Sequence, residues 1–207
     1  MVHANDAKLF VIAAPSGAGK TTLVKALVAR NPELKFSISY TTRQKRRTEV
    51  DGVDYLFIDV ATFEKKRAEG ELLEYAEVFD NFYATSRGQV EEHLVEGHNV
   101  VLEIDWQGAR QVRASMPECV TIFILPPSLE ELERRLRDRR TDSREVIDRR
   151  LRDAMSDMSH WDEFDYVIIN DKLEQAVTDL EGVLAGGGES CASANVALRR
   201  VVSRIIG

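Results

Sequence analysis

The stretch Phe10 to Thr22, FVIAAPSGAGKTT, restricts the possible folds more than any other part of the chain. Leu9-Phe10-Val11-Ile12-Ala13 is an apolar run with the length of a buried parallel strand, and it stops at a turn of small residues before Lys20-Thr21-Thr22 opens a helical pattern. Strand, glycine-bearing turn, Gly-Lys-Thr and helix in that order predict a phosphate-binding P-loop. The glycines let backbone N–H groups turn inward around phosphate oxygens. The helix N-terminus adds positive potential, Lys20 reaches the outer phosphates, and Thr21 offers a hydroxyl to Mg2+. Ala14 stands where the pattern G-x-x-x-x-G-K-[ST] begins with glycine, and its methyl group fits only if the local φ is negative.

Downstream, Leu23, Val24, Leu27 and Val28 recur at helical spacing until Asn31-Pro32. Lys35 to Thr42 alternates as one strand and runs into the basic loop Arg43-Gln44-Lys45-Arg46-Arg47, which precedes the turn Asp51-Gly52 and a strand over Tyr55 to Ile58. A short helix over Thr62 to Ala68, capped by Thr62 or Asp59, stops at Gly70. A strand over Leu72 to Phe79 carries Glu74 and Glu77, and the turn Asp80-Asn81 leads to Phe82–Ser86. Short strands and tight connections make residues 40 to 85 a small mixed or antiparallel module.

The second half returns to longer elements. A helix over Gln89 to Glu96 ends at Gly97, and Val100 to Asp105 is a buried strand with acids at its tip. Glu103 and Asp105 are two apart and point to the same side. A carboxylate at the end of a hydrophobic strand, downstream of a P-loop, is where a ligand to the water shell of Mg2+ is expected. Cys119 to Leu125 is a third core strand, followed by a capping box of Ser128 and Glu131. Between Arg134 and Arg152 arginines bracket the break Thr141-Asp142-Ser143, the pattern of two helices and a mobile flap that carries guanidinium groups over a polyphosphate. Phe164 to Ile169 is the last core strand, ending at Asn170-Asp171, and Leu173 to Leu184 closes the core. Ala185 to Ser190 reads as a flexible Gly-rich linker. The amphipathic stretch Val196–Ile206 beyond it reads as a frayed tail or as a contact with another subunit, so that a homo-oligomer is possible.

A net charge of −7 argues against an extended nucleic-acid surface while leaving room for a local basic pocket. His3, His93, His98 and His160 do not cluster at metal-ligand spacing, and Cys119 and Cys191 lie far apart, which suits reduced thiols. No stretch approaches the ~18 apolar residues of a membrane span. A cytoplasmic location without membrane partners is expected.

The ordered pieces AAPSGAGKTT (13–22), SISYTTR (37–43), EVDGVDY (49–55), ELLEYAEV (71–78), NFYATS (81–86), LEIDWQGARQV (102–112), ILPPS (124–128), RRLRDRRTDS (134–143) and FDYVIINDK (164–172) resemble the guanylate kinase family from about Lys8 to Leu184. The resemblance implies an α/β fold: a P-loop NTPase-type parallel sheet with flanking helices, a small mixed-sheet monophosphate-binding insertion and a helical lid. The core would be 1–39 and 98–184, with the lid over about 137–156, the GMP-binding insertion would be 40–97, and 185–207 would be the linker and tail. It implies transfer of the γ-phosphoryl group of ATP to GMP, and to dGMP as well, with Mg2+. ATP would lie along Pro15, Ser16, Gly17, Ala18, Gly19, Lys20, Thr21 and Thr22, with Asn170 by the adenine and Thr21 on the metal. Ser39, Glu74 and Thr85 would face guanine. Arg43, Arg46, Tyr55 and Tyr83 would hold the GMP phosphate, and Glu103 and Asp105 would divide between GMP and the metal's water shell. Lys20, Arg43 and the lid arginines Arg135, Arg139 and Arg150 would neutralise the transferring phosphates.

Some positions depart from the family. Lys45-Arg46-Arg47-Thr48-Glu49 replaces a rigid Pro-Arg-Pro-Gly-Glu-like turn, which leaves Arg47 as the alternative to Arg46. Ala84, Asp138 and Arg140 stand where glycines are usual, so altered loop and lid dynamics are expected. A second class remains open, a catalytically silent module that uses the same pocket to bind a phosphorylated or acidic protein. Such modules lack the P-loop lysine or lid arginines, whereas Lys20, Thr21, Arg135, Arg139 and Arg150 are all present.

Overall fold

A computed structural model describes residues 7–78, 80–138 and 144–207. Strand β1 (Leu9–Ala13) is buried at all of its positions, as a continuous apolar run in a parallel sheet requires. Gly19 caps helix α1 (Lys20–Arg30), which buries Leu23, Val24 and Leu27. Strands β2 (Lys35–Phe36), β7 (Val100–Glu103), β8 (Val120–Leu125) and β9 (Tyr166–Ile169) join β1 in a five-stranded sheet of order β2-β7-β1-β8-β9. Its registers Lys35↔Val100 and Ile122↔Tyr166 are parallel.

A second, mixed sheet has the order β4-β3-β6-β5, from β3 (Tyr40–Thr41), β4 (Leu56–Phe57), β5 (Leu72–Val78) and β6 (Asn81–Ser86). Here β3 pairs parallel with β4 and antiparallel with β6, and β5 pairs antiparallel with β6. Its apolar side has its own small core, in which Phe63 stacks on Phe82 at 4.7 Å beside Leu72 and Ala84. Phe63 lies on α2 (Val60–Ala68), capped by Asp59, whose carboxylate accepts the N–H of Thr62 at 2.7 Å. Helix α3 (Arg87–Val95) begins two residues before the expected Gln89, because the Ser86 hydroxyl caps it from the end of β6.

The expected single strand from Lys35 to Thr42 is two strands in two sheets. After Ser37 donates its N–H to Val101 O at 3.1 Å the chain leaves β7 and, from Tyr40, pairs with β4 and β6. A period-two pattern reports which face a residue takes and is indifferent to the partner strand, so the alternation continued through the change of sheet.

Helices α4 (Trp106–Ser115), α5 (Leu129–Asp138), α6 (Arg144–Met158) and α7 (Leu173–Leu184) follow the later strands. The expected flap falls partly on residues 139–143, which lie outside the described residues. The C-terminal stretch differs from a free appendage. Gly188 turns at φ 93, Ala192 bridges to Tyr166, and Asn195 caps α8 (Val196–Ile206), which buries Val202 and Ile205. Arg199 lies over the Trp161 ring at 4.7 Å. The glycines that read as a linker serve as tight turns.

By compactness the described chain divides into two units, one of 7–11, 32–102 and 107–119, the other of 12–31, 103–106 and 120–207. Among the described residues no helix is long and apolar enough to cross a membrane.

Candidate active site

The loop between β1 and α1 is built on two left-handed glycines, Gly17 at φ 90 and Gly19 at φ 89. A Cβ on Gly19 would come within 2.6 Å of Asn170 Nδ2, so glycine is required there twice over. Outside glycine, Asp80 is the only described residue with positive φ, which means Ala14 has the conformation its methyl group needs. The Lys20 ammonium donates to the carbonyl oxygen of Ile104 at 2.7 Å, and the Thr21 hydroxyl donates to the Glu103 carboxylate. Ile104 is itself registered on β1, donating its N–H to Ile12 O at 3.2 Å. A hydroxyl and a carboxylate meeting beside a lysine that rests on a neutral carbonyl is a donor set suited to a hard, oxygen-loving cation and an anion together. Among the described residues no three His, Cys, Asp or Glu side chains form a protein cage for a metal. Phosphate and water oxygens would therefore complete such a shell.

Asn170 and Arg135 brace this loop. The Asn170 amide, buried, donates to Ala18 O at 2.8 Å. Arg135 NH2 donates to Asn170 O at 2.9 Å, its NH1 reaches Ala18 O at 3.4 Å, and its Nε donates to Glu131 at 2.7 Å. Hydrogen bonds from Arg134 first and Arg135 second pull the Glu131 carboxyl down to about 2. Glu131 was expected only as a helix cap, yet its carboxylate orients Arg135. Ser16, Thr21 and Thr22 are exposed and Arg150, on α6, is half-buried, whereas Arg139 lies outside the described residues.

The mixed sheet gathers the other candidates. Glu74 and Thr85 are cross-strand partners, both buried, and the Thr85 hydroxyl donates to Glu74 Oε1 at 2.7 Å. Tyr83, two residues from Thr85 on β6, shares its face. Arg43 lies near enough to Tyr83 for the phenol to help raise its pKa, and it sits over the rings of Tyr55 (5.4 Å) and Phe57 (5.9 Å). Its two terminal nitrogens form a fork on the Glu49 carboxylate, at 2.7 and 3.1 Å. Glu49 also accepts the Arg46 backbone N–H at 2.8 Å, while the Arg46 guanidinium approaches it only to 3.8 Å and is largely exposed. The fork on Glu49 raises the Arg43 pKa, and Arg43 holds the Glu49 carboxyl below its ordinary range. Ser39 is half-buried and accepts the Leu56 N–H at its carbonyl, 2.9 Å.

The sequence did not single out Glu49, the first acid after the four basic residues Arg43, Lys45, Arg46 and Arg47, and that position was the available signal. Nor did it foresee the surroundings of the acid-bearing turn. Trp106, directly after Asp105, stacks on His160 at 3.6 Å and donates its Nε1–H to Asp157 at 3.0 Å. Burial pushes the Asp157 carboxyl up, with the Asp105 and Asp153 charges adding to it. His160 is thus a packing residue.

Comparison with known proteins places these features in a family. The family model described as guanylate kinase matches residues 6–186. The chain is 52% identical over 184 residues to a guanylate kinase of Hydrogenovibrio crunogenus, covering 89% of this chain and 90% of that one. It is 55% identical over 176 residues to that of Methylococcus capsulatus, covering 85% and 86%. The crystal structure of guanylate kinase from Anaplasma phagocytophilum superposes with a TM-score of 0.73 at 32% identity, covering 99% of this chain and 98% of that one.

Proposed function

The chain belongs to the guanylate kinase family, and on that premise we propose that it transfers the γ-phosphoryl group of ATP to GMP, and to dGMP, giving ADP and the diphosphate. The observation that carries the reading is the buried Glu74 carboxylate, held by Thr85 on the same sheet face as Tyr83 and its partner Arg43. Guanine presents N1–H and the N2 amine side by side, and one carboxylate accepts both. Adenine offers a lone pair at N1 and would leave the buried acid unpaired. Tyr83 and Thr85 are two strand positions apart, ~7 Å, so base and phosphate of one monophosphate are read by neighbouring positions, the phosphate by Arg43, Arg46, Tyr55 and Tyr83.

A non-bridging oxygen of the GMP phosphate, already ionised, attacks the γ-phosphorus. The new O–P bond forms as the bond to the β,γ-bridging oxygen breaks, and ADP leaves with that electron pair. No general base is required. Lys20, on giving up the Ile104 carbonyl, follows the outer phosphates, and Arg135 offers the terminal nitrogens that now rest on Asn170 O and Ala18 O. Asn170 acts through the loop it braces. Mg2+, held by Thr21 with Glu103 or Asp105 at its water shell, would supply further charge neutralisation at the bridging phosphates. Arg139 and Arg150 complete the reading as lid cations that shield the phosphates from water. The enzyme is read as cytoplasmic, which the buried free thiols Cys119 and Cys191 support. Nothing in the site favours a silent binding module.

A coupled ADP-release assay with ATP and Mg2+ over GMP, dGMP, AMP, CMP and UMP tests this. Turnover confined to the guanine nucleotides is expected; equal rates with AMP would sink it.

A further inference from the structure

Glu74 lies on β5, the edge strand of its sheet, directly after a β-bulge: Leu72 pairs with Ser86 and Glu74 already pairs with Thr85, so two steps on β5 match one on β6. Bulges bend a strand and re-aim the side chains that follow, and an edge strand has no neighbour on its outer side to correct that aim. The outer side is nonetheless held. The side-chain amide of Gln111, on α4, accepts the Tyr75 backbone N–H at 3.1 Å and donates to the Tyr75 carbonyl at 2.9 Å. A strand paired to β5 would make the same two bonds to that residue. The Tyr75 ring is fixed separately, edge-on to Phe63 at 6.3 Å and beneath Arg67 at 5.7 Å. Residue 75 is therefore clamped through both its main chain and its side chain, one position past the carboxylate.

We propose that Gln111 is a specificity-determining positioning residue: by standing in for the missing neighbour strand at Tyr75, it fixes the aim of Glu74 and so the selection of guanine over adenine. The inference rests on Glu74 as the reader of guanine. Gln111 touches no substrate, and its effect passes through the β5 backbone. Discrimination by a buried carboxylate requires its two oxygens to meet N1–H and N2–H at hydrogen-bond distance, and misplacement weakens the correct base more than the wrong one.

The test uses the full chain with Gln111→Met, which keeps length and removes both bonds, and Gln111→Glu, which keeps shape and polarity but sets a carboxylate oxygen against the Tyr75 carbonyl. Two lost bonds in Gln111→Met, and one lost bond with an added carboxylate–carbonyl repulsion in Gln111→Glu, predict a KM for GMP about fivefold higher in each. kcat at saturating GMP and KM for ATP should stay near wild type, and the GMP-over-AMP ratio of kcat/KM should fall by a similar factor. Hydrogen exchange should speed up at the Tyr75 amide in Gln111→Met, where the acceptor is gone. A merely structural role would lower the melting temperature and kcat without moving KM for GMP or the base ratio, and that result overturns the proposal, as does unchanged exchange at Tyr75 in Gln111→Met. The wild-type control separates the two levels: no GMP preference in the parent protein defeats the reading of Glu74, whereas a parental preference that survives both variants defeats only the role of Gln111.

Discussion

In the loop after β1, Lys20 donates to the Ile104 carbonyl, and Arg135 keeps its Nε on the Glu131 carboxylate while its outer nitrogens rest on the carbonyls of Asn170 and Ala18. In the loop after β3, Arg43 rests on a carboxylate, and the same carboxylate holds the backbone of Arg46. The difference lies in what the terminal nitrogens rest on. A donor that rests on a carbonyl can pass to an arriving phosphate by exchanging a dipole for an anion, with no carboxylate to displace from that nitrogen. A cation already forked on an acid is compensated, and a phosphate must share it. What the second arrangement provides is order. The run Arg43-Gln44-Lys45-Arg46-Arg47 has no proline to stiffen it, and Glu49 supplies the rigidity that backbone chemistry does not.

Removing the cation should therefore act on different quantities in the two loops. Lys20→Ala is expected to have the largest effect, lowering kcat by about 10²–10³-fold, in the range of losing one preorganised electrostatic partner of a transition state. GMP affinity by equilibrium dialysis should hardly change. Collapse of GMP binding in this variant would erase the division of labour between the loops. Next in size, Glu74→Gln should cost about 10²-fold in the GMP-over-AMP ratio of kcat/KM while KM for ATP stays constant, because an amide has one acceptor atom where the carboxylate has two and sets its NH2 against a guanine donor.

Glu49→Gln addresses the contrast itself. If Glu49 orders the loop, the variant raises KM for GMP about threefold to tenfold, since charge-assisted forks outweigh neutral ones. A fall in KM would instead make Glu49 a competing anion. The pH dependence adds a second reading. The Glu49 carboxyl is depressed in the folded chain by Arg43. Its stabilising contribution is therefore present above the unfolded value of about 4.3 and is lost as pH falls through the lower folded value. The difference in GMP affinity between wild type and variant should hold at neutral pH and close only in acid below that point.

The same contrast explains which parts of the molecule were legible in the sequence. The strand, turn and helix around Lys20 were read almost completely because strand, glycines, Lys20 and Thr21 are contiguous and each has a local physical reason to be there. Its supports were not. The Ile104 carbonyl belongs to a backbone, which no residue type announces, and Asn170 reaches Ala18 across 152 positions of chain. In the mixed sheet, Glu74 was singled out through its place in a resembling motif, but Leu72 and Thr85 gave no sign of the bulge that precedes it. The split of Lys35–Thr42 into two strands was invisible because alternation is the same in either sheet. The tail was misjudged for a different reason. Gly186, Gly187 and Gly188 are compositionally a linker, and only the φ values and the burial of Cys191, Val202 and Ile205 distinguish a set of turns from a tether.

The smallest effect is expected at Ala14, and it tests whether the first loop owes its anion-binding geometry to glycine count or to glycine position. Gly17 and Gly19 have left-handed φ, and Gly19 has in addition no room for a Cβ; Ala14 has neither constraint. Restoring glycine by Ala14→Gly therefore relieves no strain in the folded loop and adds conformational freedom to the unfolded chain. kcat and both KM values should change by less than about twofold. Stability should fall by about 0.4–1 kcal/mol, a decrease in melting temperature of about 1–4 °C for a chain of this length. Gly19→Ala, the same chemical change in reverse at five positions' remove, should cost far more in both activity and stability, because the new methyl meets Asn170 Nδ2 at 2.6 Å and the backbone stays at φ 89. A gain in activity from Ala14→Gly would mean that the loop is limited at its first position, and the left-handed glycines at 17 and 19 would no longer be what sets its geometry.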